Sequence, residues 1–244
     1  MLKRSIDLAL STVALTVLFP AMLVIVLCIL IADGQPIFYR GIRVGKFGRV
    51  FRIFKFRTMV VDAERLGGSA TADTDNRITR MGRVLRRHKL DELPQLINVL
   101  RGEMSLVGPR PEVPEYIALL SEAEKPILAV RPGITDWATL WDADEGALLA
   151  GSSDPERLYL EFIRPEKVKL QLKYVRNHSL WTDLLILFRT AYVIMVKPIP
   201  PSFAALDKYV TTLVQGTSSM ADEGLSKQGG LEENERATVA TEEM

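Results

Sequence analysis

Two adjacent carboxylates, Asp91 and Glu92, lie in the stretch Lys89-Leu90-Asp91-Glu92-Leu93-Pro94-Gln95-Leu96, within the most basic part of the chain. An ionised carboxylate among arginines can act as a nucleophile or as a ligand for a hard divalent cation. This pairing suits a pyrophosphate carried with Mg²⁺. Arginines would neutralise the phosphate oxygens in bidentate fashion, and one carboxylate would hold the metal. Pro94 is tolerated in a first helical turn, so a helix carrying Leu93, Leu96, Ile97 and Leu100 starts near Asp91 and stops at Gly102. The plainer reading is that Asp91 or Glu92 only caps that helix, beside the positive end of its dipole.

Three further stretches carry anion-binding side chains. Gly108-Pro109-Arg110-Pro111 holds an arginine in a stiff, extended turn, and Arg131-Pro132-Gly133-Ile134-Thr135 repeats the device. Lys55, Arg57 and Thr58 follow a strand-like run and could line an anion site. The plainer readings are chain punctuation for the two turns and a solvated basic face for the third. His88 and His178 are far apart and Cys28 sits in an apolar run, so a zinc site is not expected. Neither a G-x-x-x-x-G-K-[ST] nor a G-x-G-x-x-G loop occurs.

The elements that position these residues fall into three segments, which the near-neutral formal charge of +1 over 244 residues conceals. From Leu8 to Ala32 no side chain is charged; as a helix this reaches roughly 37 Å, enough for a hydrocarbon core of about 30 Å. From Gly34 to Arg110 sixteen Lys/Arg face seven Asp/Glu, giving +9, and from Thr217 onward the balance is −5. That tail has no apolar period and reads as disordered. A +9 segment directly after an apolar anchor points to anionic lipid headgroups or a nucleotide substrate more than to nucleic acid.

The apolar run has two readings. A simple span is the default, but Pro20 falls at its midpoint and both flanks are basic, from Lys3 and Arg4 before it to Arg40, Arg43 and Lys46 after it. A helix that breaks at Pro20 and returns to the same face keeps both basic flanks on one side. Beyond it, short β runs are expected at Pro36–Tyr39 and Val50–Phe56. Helices are expected at Arg77–His88, Pro111–Leu120, Pro155–Phe162 and Pro165–Arg176, and an interfacial or core helix over Thr182–Val196.

Taken in order, Lys55-Phe56-Arg57-Thr58-Met59, Arg77-Ile78-Thr79-Arg80-Met81-Gly82-Arg83, Leu90-Asp91-Glu92-Leu93-Pro94-Gln95-Leu96, Asn98-Val99-Leu100-Arg101-Gly102, Met104-Ser105-Leu106-Val107-Gly108-Pro109-Arg110-Pro111 and Arg131-Pro132-Gly133-Ile134-Thr135 resemble the bacterial sugar transferase family, the monotopic phosphoglycosyl transferases. The resemblance runs from about Lys3 to Lys197. It implies a mainly α fold with small β elements: a monotopic membrane protein with an N-terminal re-entrant helix broken at Pro20 and in-plane amphipathic helices. The implied domains are a membrane helix over 1–33, a catalytic domain over 34–200 and an extension over 201–244. The implied place is the bacterial inner membrane, with the catalytic domain facing the cytoplasm.

The implied reaction moves a sugar-1-phosphate from a nucleotide sugar, commonly a UDP-sugar, to undecaprenyl phosphate, initiating surface polysaccharide or glycoconjugate synthesis. Asp91 and Glu92 correspond to the catalytic dyad, with Asp91 as nucleophile and as ligand of the Mg²⁺ cofactor. Arg110 and Arg131 would contact phosphate, with Lys55, Arg57, Thr58 and Arg87 behind them. Membrane lipids are implied partners, nucleic acid is not, and a second copy of the chain is an open one. Two departures bear on sugar choice: Asp136-Trp137-Ala138-Thr139 with the acidic Asp142-Ala143-Asp144-Glu145, and Gln171 where many members carry an aspartate. The reading from another class is a non-catalytic basic module anchored in the membrane for a polysaccharide assembly system.

Overall fold

An apolar run this long forms helix before anything else, and Leu2–Ala32 is a single helix, α1, with Pro20 inside it. The computed structural model describes residues 2–68, 70–142 and 145–196; the acidic extension lies outside them. Most of α1 faces outward: Val13, Val17, Phe19, Leu23, Val24, Leu27 and Ile31 are exposed, against only five buried residues. Both ends of α1 are fastened to the rest of the fold. At the start, Lys3 Nζ lies 2.6 Å from Asp183 Oδ2, Arg4 donates to the Val99 carbonyl at 2.8 Å, and buried Asp7 accepts from Ser105 Oγ at 2.8 Å. At the far end, Met22, Ile25 and Ile29 pack on Phe56 and Leu85, and Thr79 Oγ1 donates to Asp33 Oδ2 at 2.7 Å.

Among the described residues the strands form three separate pairs. β1 (Phe38–Tyr39) runs antiparallel to β4 (Lys55–Phe56), and β2 (Ile42–Val44) antiparallel to β3 (Val50–Arg52). β5 (Ser105–Val107) runs parallel to β6 (Gly133–Thr135). These pairs carry the two Pro-Gly turns and Lys55 but form no common sheet.

The helices between them are short because the chain is heavily punctuated. Following α2 (Ala63–Leu66), α3 covers Arg80–Arg87 rather than starting at Arg77, because Thr79 Oγ1 accepts from the Gly82 N–H at 2.9 Å and caps it there. Arg77 instead forks onto Asp75, with Nη2 to Oδ2 at 2.7 Å. α4 (Gln95–Arg101) stops at Gly102, whose φ of 83° is the left-handed stop expected of it. The stretch expected as helix over Pro111–Leu120 holds one turn only, α5 (Pro114–Ile117), since each proline pushes the residue before it out of the helical region.

Next come α6 (Trp137–Trp141), α7 (Glu145–Ala150) and α8 (Pro155–Leu158). A π turn at Tyr159–Ile163 joins α8 to α9 (Arg164–Asn177). The last helix, α10 (Leu180–Val196), is docked through buried Ile186 and Asp183, and Thr135 and Thr190 share a hydroxyl bond of 2.8 Å. Its other side exposes Trp181, Leu184, Leu185, Phe188, Tyr192 and Ile194. The segment from Thr182, expected as an interfacial or core helix, thus has one docked side and one exposed apolar side. The fold class is therefore mainly helical with small strands and one long apolar helix near the N-terminus.

Candidate active site

Three local structures bring charge to one point. β4 presents Lys55, a 3-10 turn at Leu90–Glu92 links α3 to α4, and the turn after β5 presents Arg110. Lys89 enters the 3-10 turn at a φ of 55°, a left-handed conformation that a side-chain-bearing residue adopts only under constraint from its surroundings. Glu92 Oε1 receives Lys55 Nζ at 2.8 Å and Arg110 Nη2 at 2.7 Å, and Arg110 Nη1 reaches Oε2 at 3.4 Å. Asp91 is only 7% exposed and makes no hydrogen bond or ion pair among the described residues. Neither carboxylate caps α4; Pro94 precedes its first residue.

The two neighbours are therefore driven apart electrostatically. Burial pushes the Asp91 carboxyl above the usual range, with Glu92 adding to the rise and Lys55, Arg86 and Lys89 opposing it. Burial would raise Glu92 as well, but Arg110 and Lys55 outweigh it and hold that carboxyl well below the usual range. Burial lowers Lys55, and Glu92 holds Arg110 firmly protonated. The result is one saturated, permanently ionised carboxylate beside one buried carboxylate with open lone pairs. Divergent environments of this kind assign different roles to chemically similar groups.

Asp91, Glu92, Lys55 and Arg110 are thus brought together. Other residues singled out in the sequence do different work here. Arg57 Nη2 donates to the Asp33 and Gly34 carbonyls, both at 2.7 Å, and so ties down the end of α1. Thr58 is buried, and its carbonyl lies where a Cβ on Gly82 would sit, 2.0 Å away, so it spaces β4 from α3. Arg131 is exposed and donates through Nε to the Gly102 carbonyl at 2.9 Å, capping the end of α4. Arg87 is exposed in the last turn of α3. Arg86 and Lys89 were not singled out, yet they act electrostatically on Asp91; the left-handed turn at Lys89 that brings them in has no sequence signature.

The two Pro-Gly turns form a single device. Gly133 N–H donates to the Pro109 carbonyl at 2.9 Å, Gly108 N–H to the Thr135 carbonyl at 3.1 Å, and Ser105 N–H to the Pro132 carbonyl at 2.8 Å. A Cβ on Gly133 would lie 2.1 Å from Gly108 N. Backbone meets backbone there, so nothing can move aside cheaply. Gly133→Ala is expected to cost about 2–4 kcal/mol of stability and to displace Arg110. Thermal unfolding together with turnover measures both effects.

Mg²⁺ usually takes one or two protein carboxylates and completes its octahedron with water and substrate phosphate. The open oxygens of Asp91 fit that role, and no cluster of three His, Cys, Asp or Glu occurs among the described residues. Behind Arg110 the chain opens into a narrow cleft, bordered also by Glu112, Tyr159, Lys167 and Gln171.

The family model for bacterial sugar transferases matches residues 1–197. The chain is 36% identical over 198 residues to a UDP-N-acetylgalactosamine-undecaprenyl-phosphate N-acetylgalactosaminephosphotransferase of Aeromonas hydrophila, covering 80% of this chain and 44% of that protein. It is 40% identical over 195 residues to an undecaprenyl-phosphate glucose phosphotransferase of Komagataeibacter xylinus, covering 77% and 35%. Against the exopolysaccharide production protein ExoY of Sinorhizobium fredii it is 36% identical over 203 residues, covering 77% of this chain and 83% of that protein. The chain thus spans less than half the length of the first two and most of the third. With a match over nearly the whole described region, the chain belongs to the bacterial sugar transferase family.

Proposed function

We propose that the protein transfers a sugar-1-phosphate from a nucleotide sugar, commonly a UDP-sugar, to undecaprenyl phosphate, with Asp91 as the covalent nucleophile. The observation that carries this is the contrast within the dyad: Glu92 is saturated by two cations, while buried Asp91 has open oxygens. A carboxylate oxygen of Asp91 attacks the β-phosphorus of the donor. The bond from that phosphorus to the bridging oxygen breaks, and nucleoside monophosphate leaves with that oxygen. The product is an acyl phosphate carrying the sugar. A phosphate oxygen of undecaprenyl phosphate then attacks the same phosphorus and returns Asp91 as carboxylate.

Glu92 holds Lys55 and Arg110 at fixed distance from the reacting group, so their charge meets the phosphate oxygens without reorganisation. Asp91 would hold Mg²⁺, which when bound supplies charge neutralisation of the pyrophosphate. Lys55, with Arg86 and Lys89, favours the ionised form of the nucleophile against the burial that opposes it. Incubation with undecaprenyl phosphate, Mg²⁺ and a panel of nucleotide sugars tests the reading: nucleoside monophosphate is released from at least one donor. No release from any donor would refute it.

The membrane arrangement that fits is re-entrant. Lys3, Arg4 and Asp7 at one end of α1 and Asp33 at the other bond to the same body, while the stretch around Pro20 is exposed and apolar. A helix that crossed a core of about 30 Å would carry one of those ends to the opposite side. The catalytic body would lie at the cytoplasmic face of the inner membrane, with the apolar face of α10 against the lipid. A Ser5→Cys label in a Cys28→Ser background is expected to react only from the cytoplasmic side. Reaction from the periplasm would rule out the re-entrant arrangement.

A further inference from the structure

The cleft behind Arg110 is built more elaborately than phosphate binding requires. Lys167, 5% exposed, lies 3.2 Å from Asp142 Oδ2, bonds Glu145, and sits 5.1 Å from the centre of the Tyr159 ring. Burial pushes the Asp142 carboxyl up, and the Lys167 charge opposes that rise. This bonded cluster fixes the back of the cleft. Tyr116 stacks on Tyr159 with centroids 5.0 Å apart.

Two polar groups on the lining lack a full set of partners. Gln171 is 3% exposed, and its Nε2 has no hydrogen-bond partner. Buried amide donors are normally satisfied, so an unpaired one facing a cleft marks a place where something else completes it. Glu112 has a carboxylate whose one side-chain bond is a long 3.5 Å contact from the Tyr159 hydroxyl. A donor and an acceptor in a lining that also holds the apolar Ile127 and Leu128 match a hexose, whose hydroxyls both give and accept hydrogen bonds while its C–H face packs on apolar groups. A nucleobase fits less well, because Tyr159 is already engaged by Tyr116 and by Lys167. The cleft also shares Arg110 with Glu92, which keeps it within one side chain of the reacting phosphate.

We propose that this cleft is the sugar subsite, in which Gln171 donates to one ring hydroxyl of the donor hexose and Glu112 accepts from another. The proposal rests on the transferase reading above and refines it. Gln171 thereby sets which hexose is accepted.

The test uses the full chain in membranes or detergent with Mg²⁺, undecaprenyl phosphate, and UDP-hexoses deoxygenated at single ring positions. For wild type, deoxygenation at one position is expected to lower kcat/KM about tenfold. In Gln171→Leu that penalty shrinks to less than about twofold, as in a double-mutant cycle whose contact has been removed. Inhibition by sugar-free UDP stays the same in both. Gln171→Glu, nearly the same shape but without the amide donor, keeps the cycle measurable if the leucine variant folds poorly, and it changes the penalty at that same ring position only. Equal penalties in wild type and variant at every position overturn the subsite, as does a Ki for UDP that changes along with KM. If wild type releases no nucleoside monophosphate from any donor, the transferase reading itself has failed, a result distinct from both.

Discussion

Asp91→Asn is expected to abolish turnover and to stabilise the protein at the same time. The amide keeps the shape and burial of the carboxyl but has no anionic oxygen to attack phosphorus, so a loss on the order of 10⁴-fold or more is expected, with a threshold of about 5.5 kcal/mol of barrier. The stability effect has the opposite sign from most substitutions. Burial pushes the Asp91 carboxyl up, so its ionised form costs folding energy at pH 7. For a carboxylate with a raised folded value, that cost grows as pH climbs from the ordinary unfolded value through the folded one. Removing the charge removes the cost, and Tm at pH 7 rises by about 2–4 °C for each kcal/mol relieved. The gap between variant and wild type narrows as the pH is lowered below about 4. Scanning calorimetry beside nucleoside monophosphate release reads both effects. A variant that is inactive because it is unfolded would show the reverse shift.

Glu92→Gln is expected to damage fold and reaction together. Glu92 is the only carboxylate paired with Lys55 and Arg110 among the described residues, and their side chains are 17% and 29% exposed. Without its charge two neighbouring cations lose their common partner, a loss of about 3 kcal/mol once partial exposure is allowed for. Arg110 then swings free and Lys55 loses its proton more easily, so turnover falls by about 10²-fold or more. Glu92 sits well below the usual carboxylate range in the fold, so its contribution is complete above the unfolded value of about 4.3 and disappears as pH falls through the folded value. Acid unfolding of wild type should therefore steepen below pH 4, and Glu92→Gln should flatten that limb. Chemical denaturation at a series of pH values checks this. An unchanged acid limb in the variant would mean that Glu92 is not the group held down by Arg110 and Lys55.

How far the chain could be read before its structure depended on the range of each interaction. Local chemistry was legible: Gly102 as a stop, Pro165 at a helix start, and the prolines flanking Arg110 all act through neighbouring residues. The adjacent carboxylates and the bases around them were visible as a group, but helix capping accounts for the same residues, and their reading as a dyad came from the resemblance. What was not legible was which arginine faces which way. Arg57 follows Lys55 by two residues in an extended run, and its guanidinium ends on the α1 carbonyls rather than beside the dyad. Arg131 looks equivalent to Arg110 in sequence, yet the parallel pairing of β5 with β6 places it at the end of α4. Likewise, the acidic run at Asp142 stood out only as a departure from the family pattern bearing on sugar choice. Only the packing of α9 brings Lys167 to Asp142 and Glu145 and buries the cluster beside Arg110.

In the proposed reaction Asp91 carries the sugar phosphate between donor and acceptor. Isotope exchange in the absence of undecaprenyl phosphate tests it most directly. With Mg²⁺, a UDP-sugar and labelled UMP, the wild-type protein should pass label into the UDP-sugar, since an enzyme-bound sugar phosphate can return to UMP. Asp91→Asn should pass none. If the complete reaction runs while exchange without acceptor is absent, or if Asp91→Asn still supports exchange, transfer does not go through Asp91.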